Sequence, residues 1–372
     1  MRICFLGDFY SVHTYRWAKF FSDRHEVRLI SLEALSTEPC SITLQDYYAI
    51  GIKTHIVPRK GLNKLLAIGR IRNLIRSIRP DIAHAHYITH YGYLGAKSGF
   101  HPLVITAWGT DVLIESHQRP IKSHQVRYAL SKADIVTCDG ENTAKALQNL
   151  IGDDRKIKRI YFGVDTKNLS PEKRDAKFYD AFKKETTAKV VINLRGFADI
   201  YDPATFIGAI PAVLARYPET IFVMARENEK RKIFEQRVKS LGVSHAVKFI
   251  GNITPDRLPE YLASSDIYVS TSLSDSGLSA STAEAMACGL PVISTDVGDI
   301  SYWIEDGRNG FIIPKGDSRA LSQKLLLLLD DEERRISMGQ EARKTIEARQ
   351  DYHKEMGKVE QLYEQLIMER RK

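Results

Sequence analysis

Between Ser270 and Gly298 the chain reads S-T-S-L-S-D-S-G-L-S-A-S-T-A-E-A-M-A-C-G-L-P-V-I-S-T-D-V-G. This run breaks into a strand end, a loop of small residues, a helix, a second strand and a further turn. A loop of Ser and Gly entering a helix presents backbone N–H groups and the positive end of the helix dipole, which together suit a phosphate. Glu284 stands about two helical turns beyond the loop, where a carboxylate can accept hydrogen bonds from ribose hydroxyls. On this loop alone, an exposed helical glutamate is the plainer account of that residue.

In the N-terminal half the residues of interest follow strand-like runs. His13 and Arg16 come just after the first strand, Ile3 to Leu6, in a loop and helix where ligands of parallel sheets bind. Taken singly, each is as readily a solvated surface residue. His84 lies within the run Ile82 to His86 and reads as structural, whereas His86 and His90 lie nearer its C-terminal end. Trp108-Gly109-Thr110-Asp111 follows the strand Leu103 to Thr106.

The elements that must position these residues alternate between strand and helix patterns. Further strands are expected at Val27 to Ser31 and Ile135 to Cys138. A second series runs through Val190 to Leu194, Thr220 to Met224, Val247 to Ile250, Ile267 to Ser270 and Pro291 to Ser294. Helical spacing appears at Tyr15 to Asp23, Pro203 to Tyr217 and Leu258 to Ser264. The pattern predicts an α/β protein with two Rossmann-like, doubly wound domains and a cleft facing the carboxyl ends of both sheets. The expected divisions are 1–165, a lysine-rich linker over 166–188 with a short helix near Ala176 to Lys184, a second domain over 189–350, and a C-terminal helix over 351–372 returning to the first domain.

Composition agrees with a globular enzyme. The 372 residues are 43% hydrophobic and 27% charged, enough for two cores. The opening apolar run is too short for a signal peptide, and no run approaches the roughly 20 apolar residues that cross a bilayer. Cys4, Cys40, Cys138 and Cys288 are scattered, as for reduced thiols in a cytosolic protein. A net charge of +8 suggests an anionic partner. One helix pattern, Leu62 to Arg79, carries Leu65, Ile68, Ile71, Ile75 and Ile78 on one face, with Lys64, Arg70, Arg72, Arg76 and Arg79 elsewhere. It is expected either to pack on its own sheet or to lie on an anionic membrane surface. There is no basic stripe interleaved with aromatics and no nucleic-acid-binding module.

The stretch Glu284-Ala285-Met286-Ala287-Cys288-Gly289-Leu290-Pro291-Val292-Ile293 resembles the signature of the family 4 glycosyltransferases, retaining enzymes of the GT-B fold. The resemblance extends to Asp306-Gly307-Arg308-Asn309-Gly310-Phe311 and Pro314, to Phe249-Ile250-Gly251, Tyr261-Leu262-Ala263 and Asp266, and in the first half to Pro80 through His86 and Gly163-Val164-Asp165. It covers nearly the whole chain. It implies transfer of a sugar from a nucleotide-diphosphate sugar to a hydroxyl acceptor, a glycan or lipid-linked glycan of cell-surface polysaccharide synthesis, at the cytoplasmic face of the membrane.

In that family the second acid of the signature, here Glu284, holds the ribose, the first acid touches the donor sugar, and an Arg with a nearby Lys binds the diphosphate. Arg195 stands where that Arg belongs. Two departures are evident. Family spacing puts Ser276 in the place of the first acid, with Asp275 one position early and Gly277 and Leu278 completing the loop. No Lys follows Arg195 in G-F-A-D-I-Y-D-P, so another cation, Arg226 after the strand ending at Met224, is expected to help. Trp108 occupies a place where relatives are expected to carry His, which passes its contact to Asp111 or a backbone carbonyl. His13, Arg16, His86, Trp108 and Gly109 then form the acceptor side.

No metal or cofactor is expected. The sequence has no Asp-x-Asp, and Arg195, the helix dipole and loop amides can stabilise the departing diphosphate. A nicotinamide dehydrogenase would need a glycine-rich first turn, and G-D-F-Y-S-V-H-T offers one glycine. A nucleotide-sugar 2-epimerase of the same architecture and a non-catalytic nucleotide-sugar-binding protein remain as alternatives.

Overall fold

A computed structural model describes residues 1–33, 42–59, 63–116, 119–180, 187–275 and 277–371. Contacts divide the chain into two compact units, Met1–Phe162 with Lys354–Lys372, and Gly163–His353.

The first unit is built on β1 (Arg2–Leu6), β2 (Glu26–Leu32), β3 (Lys53–Val57), β4 (Ile82–His86), β5 (Leu103–Thr106), β6 (Ile135–Cys138) and β7 (Ile157–Arg159). They form a parallel sheet in the order β3-β2-β1-β4-β5-β6-β7. The central strands are short apolar runs covered on both faces, as parallel strands require; Ile3 through Leu6 are wholly buried. Strand order reverses between β1 and β4, where Leu6 lies opposite Ala85.

The second unit carries β8 (Val190–Asn193), β9 (Ile221–Met224), β10 (Val247–Phe249), β11 (Ile267–Ser270), β12 (Val292–Thr295) and β13 (Phe311–Ile313). Its order is β10-β9-β8-β11-β12-β13, again all parallel, and it reverses between β8 and β11. Ligands of doubly wound sheets bind beyond the strand ends at such reversals. The two reversals therefore select Gly7 to Thr14 with His86 in one unit, and Arg195 with residues 271–275 and 277–279 in the other.

The C-terminal helix Tyr352–Arg371 supplies the first unit's last layer. Met356, Val359 and Tyr363 are fully buried. Tyr363 bonds His84 Nδ1, whose Nε2 meets Thr106 Oγ1 at 2.6 Å, so His84 is structural as expected. Glu355 accepts from the Tyr161 amide at 3.0 Å. The stretch expected as a linker packs on the second unit: Leu169 and Tyr179 are buried, and Tyr179 donates to the Tyr261 carbonyl at 3.0 Å. Residues 176–180 form turns where the start of a helix was expected, and 181–186 lie outside the described residues. Cys4, Cys138 and Cys288 are buried, and none of the three is in a disulfide; Cys40 lies outside the described residues.

The basic helix spans Asn63–Ile78. Its face bearing Ala67, Ile71, Ile75 and Ile78 is buried in the first unit's core, which corrects the expectation that this face could enter a bilayer surface. The helix packs on its own sheet, the plainer of the two readings. Leu62 lies outside the described residues.

Candidate active site

At the end of β8 the chain turns through Arg195 and Gly196 into the helix Pro203–Leu214, which Asp202 caps by accepting from the Thr205 amide. Arg195 is held in place by four contacts. Its amide donates to Asn193 Oδ1 at 2.9 Å, its Nε to Ser272 Oγ at 3.0 Å and its Nη2 to Asp275 Oδ1 at 2.5 Å, and its guanidinium carbon lies 4.5 Å from the centre of the Tyr201 ring. The Arg195 and Asp275 side chains are only 11% and 15% exposed. Burial pushes the Asp275 carboxyl above the ordinary aspartate range, against the opposing pull of Arg195.

The loop carrying Asp275 is fixed from below. Thr295 donates to the Ser272 carbonyl at 2.5 Å, and the Leu273 amide to the Ile200 carbonyl at 2.7 Å. Gly298 closes under it in the left-handed region, where a Cβ would lie 2.6 Å from the Asp275 carbonyl oxygen. Any side chain there would push the loop away. Leu278 is buried beside Gly277, and Ser279 caps the helix Ala280–Ala287 by accepting from the Thr282 amide at 3.3 Å. Glu284 is half-buried on that helix. Ser276 lies outside the described residues.

Arg226 extends β9 with a left-handed backbone and an exposed side chain, its Nε 3.4 Å from the Leu194 carbonyl. It therefore sits over the turn that holds Arg195. The fold also brings Lys230 to this turn, 2.6 Å from Asp199. Sequence reasoning missed this lysine because it lies in the loop after the neighbouring strand.

In the first unit a pocket of about 250 Å³ opens at the β1/β4 reversal, lined by Asp8, Ser11 and Thr14 on one side and by His86, Tyr87, His90, Tyr91 and Trp108 on the other. Tyr91 donates to Asp8 Oδ1 at 2.5 Å. Thr14 Oγ1 meets His86 Nδ1 at 3.2 Å, while His86 Nε2 and Trp108 Nε1 are buried without a hydrogen-bond partner. Burial pushes the His86 imidazole down to about 3, so at neutral pH it is an uncharged hydrogen-bonding group. Two buried ring nitrogens lacking partners on one polar, aromatic-walled pocket suit a ligand rich in hydroxyls.

Of the residues expected on this side, His86 and Trp108 line the pocket, and His13 packs on Trp108 with ring centres 4.7 Å apart and on Phe162 at 4.9 Å. Gly109 has φ +96° and turns the chain behind Trp108. Arg16, half-buried on the helix Val12–Ser22, is not among the lining residues. Asp111, expected in catalysis, is fully enclosed. Its oxygens accept from the amides of Ile88, Trp108 and Val112 at 2.8, 3.1 and 3.1 Å. Its carboxylate is thus spent on fixing the turns at Ile88 and Trp108, which corrects the catalytic assignment. Asp8, Tyr87 and Tyr91 were missed; the only signal for them was position after a strand end.

Comparison with known proteins agrees with this architecture. Residues 175–345 match the family model for glycosyl transferases group 1, and residues 2–140 the model for glycosyl transferase 4-like domains. The chain is 28% identical over 276 residues to N-acetyl-alpha-D-glucosaminyl L-malate synthase of Bacillus anthracis, covering 72% of this chain and 70% of that one. It is 26% identical over 321 residues to an uncharacterized glycosyltransferase of Methanocaldococcus jannaschii, covering 84% and 83%. Among solved structures, Anabaena HepE in complex with UDP-glucose superposes with a TM-score of 0.84 at 19% identity, covering 98% of this chain and all of that one. The fold is GT-B, and the chain belongs to the family 4 glycosyltransferases; it is a sugar-transferring enzyme.

Proposed function

We propose that the enzyme binds a nucleoside-diphosphate sugar on its second unit and transfers the sugar, with retention, to a hydroxyl of a glycan or lipid-linked glycan held on its first. The observation that carries this reading is Arg195, a buried guanidinium at the β8/β11 reversal, set beside a small-residue loop that enters a helix. An Arg fork and helix-end amides together match a diphosphate. Arg226 and Lys230 supply further positive charge at the same strand ends, where the family's lysine is missing. Glu284 takes the ribose hydroxyls, and Asp275, Gly277 and Leu278 contact the sugar.

Leaving-group charge grows as the glycosidic bond breaks, so Arg195 acts most strongly in the transition state and no metal is required. On the acceptor side, neutral His86 and the Trp108 N–H satisfy their hydrogen bonds on acceptor hydroxyls. Relatives bear names that specify different donors and acceptors, among them a GDP-mannose-dependent phosphatidylinositol mannoside mannosyltransferase of Mycolicibacterium smegmatis. The donor base and sugar are therefore left to experiment.

The test is a calorimetric and turnover screen against UDP-, GDP- and ADP-sugars in the presence of a chelator. Binding with turnover onto a glycan acceptor supports the reading. Binding without turnover on any acceptor would favour a nucleotide-sugar-binding protein, and inversion at C2 of the sugar an epimerase.

A further inference from the structure

Gly7 and Asp8 follow β1, and Asp8 lines the pocket at the β1/β4 reversal. Gly7 lets the helix Val12–Ser22 start close by, since a Cβ there would lie 3.0 Å from both Thr14 Cγ2 and Thr14 Oγ1. Asp8 is then held by Tyr91. The Tyr91 oxygen accepts from the Leu32 amide at 3.1 Å, which leaves its proton for Asp8 Oδ1 at 2.5 Å. Tyr91 is itself buried, and burial keeps its phenol protonated. One Asp8 oxygen is thus committed. The other, Oδ2, takes no hydrogen bond from the described residues.

Among the described residues that line the pocket, Asp8 is the one carboxylate, and none is a lysine or arginine. Burial holds His86 and His90 below the ordinary imidazole value, so neither supplies a cation at neutral pH. Two cations act on His90 from outside the lining. Lys122 is paired with Glu115 at 2.9 Å, and Arg59 lies beside Glu33, which accepts from its amide at 3.4 Å. The lining therefore carries net negative charge.

That charge discriminates between ligands. A sugar hydroxyl can donate to Asp8 Oδ2 and accept from Trp108 Nε1. An ionised carboxylate or phosphate only accepts, so it gains no bond at Asp8 and meets a like charge there. At the effective dielectric of a partly enclosed site, two like charges about 5 Å apart repel by more than the equivalent of a tenfold change in affinity.

We propose that Asp8 selects the acceptor, admitting an uncharged sugar and turning away one that bears a carboxylate or phosphate. The inference rests on the assignment of this pocket to the acceptor.

The experiment is a saturation-transfer NMR titration of the full chain with the methyl glycosides of glucose, galactose and mannose, each beside its own uronic acid, which is ionised at neutral pH. Wild type is expected to bind at least one hexoside, and the matching uronic acid at least about tenfold more weakly. Asp8→Asn keeps an oxygen for the Tyr91 hydroxyl and removes the charge. Its preference for the hexoside should shrink to within about threefold, with an unchanged melting temperature. His86→Ala should weaken both sugars alike and keep the preference.

A wild-type preference in Asp8→Asn would overturn the inference; weakening of both sugars by His86→Ala would then leave the acceptor assignment in place. If hexoside binding answers to both variants but the hexoside does not inhibit transfer, the acceptor assignment falls and selection by Asp8 stands. Binding of no hexoside by wild type, or equal binding of the uronic acid, would also overturn the inference.

Discussion

Arg195 Nη2 donates to Asp275 Oδ1 at 2.5 Å, joining two residues 80 positions apart in a pair that is nearly shielded from water. The cation proposed to meet the donor's diphosphate thus already has an anion beside it. On the proposed assignment, a diphosphate entering this site must share or replace that partner.

Removing the partner should therefore separate binding from turnover. Asp275→Asn is expected to tighten nucleoside-diphosphate binding several-fold in calorimetry while lowering kcat, because Arg195 loses its internal anion and the sugar loses a carboxylate contact. Arg195→Ala is expected to lower kcat about a hundredfold or more, as loss of a charge-stabilising donor does elsewhere. Equal turnover by Arg195→Ala would remove it from the reaction.

The same pair sets a pH dependence. Burial raises the Asp275 carboxyl above its ordinary value, so acidification neutralises it earlier than a surface aspartate and releases Arg195. As pH falls, nucleoside-diphosphate affinity of wild type should rise relative to that of Asp275→Asn. Parallel affinity curves for the two proteins would show that the pair does not compete with the ligand.

Glu284→Ala is expected to weaken nucleotide-sugar binding about tenfold, the loss of a charge-assisted hydrogen-bond acceptor for the ribose, with an unchanged melting transition. A titration indistinguishable from wild type would take Glu284 out of the site.

His86→Ala should raise the acceptor KM and leave donor affinity alone. Because burial holds His86 down to about 3, its imidazole does not change charge around neutrality. The pH profile of kcat/KM for the acceptor should therefore keep its neutral-range shape in the variant.

Asp111 gives a stability test with a definite sign. Burial lifts its carboxyl from the ordinary aspartate value of 3.8 to about 6. Below the lower value the unfolded and folded forms are both protonated, and the group costs nothing. Between the two values the unfolded chain releases the proton and the folded one keeps it, so stability falls as pH rises, and above the higher value the loss is complete. Asp111→Asn lacks this titration. Measured by denaturant at about pH 4 and about pH 7, the variant should gain on wild type by up to about 3 kcal/mol across the interval. A constant difference between the two proteins would show that the carboxyl is not titrating there.

Much of the framework could be read from the chain because central parallel strands are short apolar runs punctuated by glycine and aspartate, and those runs mark ten of the strands. The strands that escaped, Lys53–Val57, Ile157–Arg159 and Phe311–Ile313, are sheet edges, where a strand need bury only part of its surface. Ile157–Arg159 has one apolar residue in three, with its other two exposed. The loop proposed for the donor was legible because its motif is contiguous from Ser270 to Gly298. The pocket at the β1/β4 reversal was not, since Asp8 and Tyr91 meet across 83 residues and neither belongs to a motif. Asp111 was misassigned because a carboxylate that fixes backbone turns looks, in one dimension, the same as one that handles a proton.

The C-terminal helix carries one further consequence. Tyr363 reaches His84 in the middle of the first sheet, and Met356 and Val359 lie beside it without solvent contact. During synthesis, then, the first unit leaves the ribosome unfinished. It must wait with that groove open until the whole second unit has emerged and the last nineteen residues, Lys354–Lys372, arrive. A fragment stopped at Phe162 would expose the same groove permanently and should be recovered as aggregate. Adding the terminal helix as a separate peptide should rescue it.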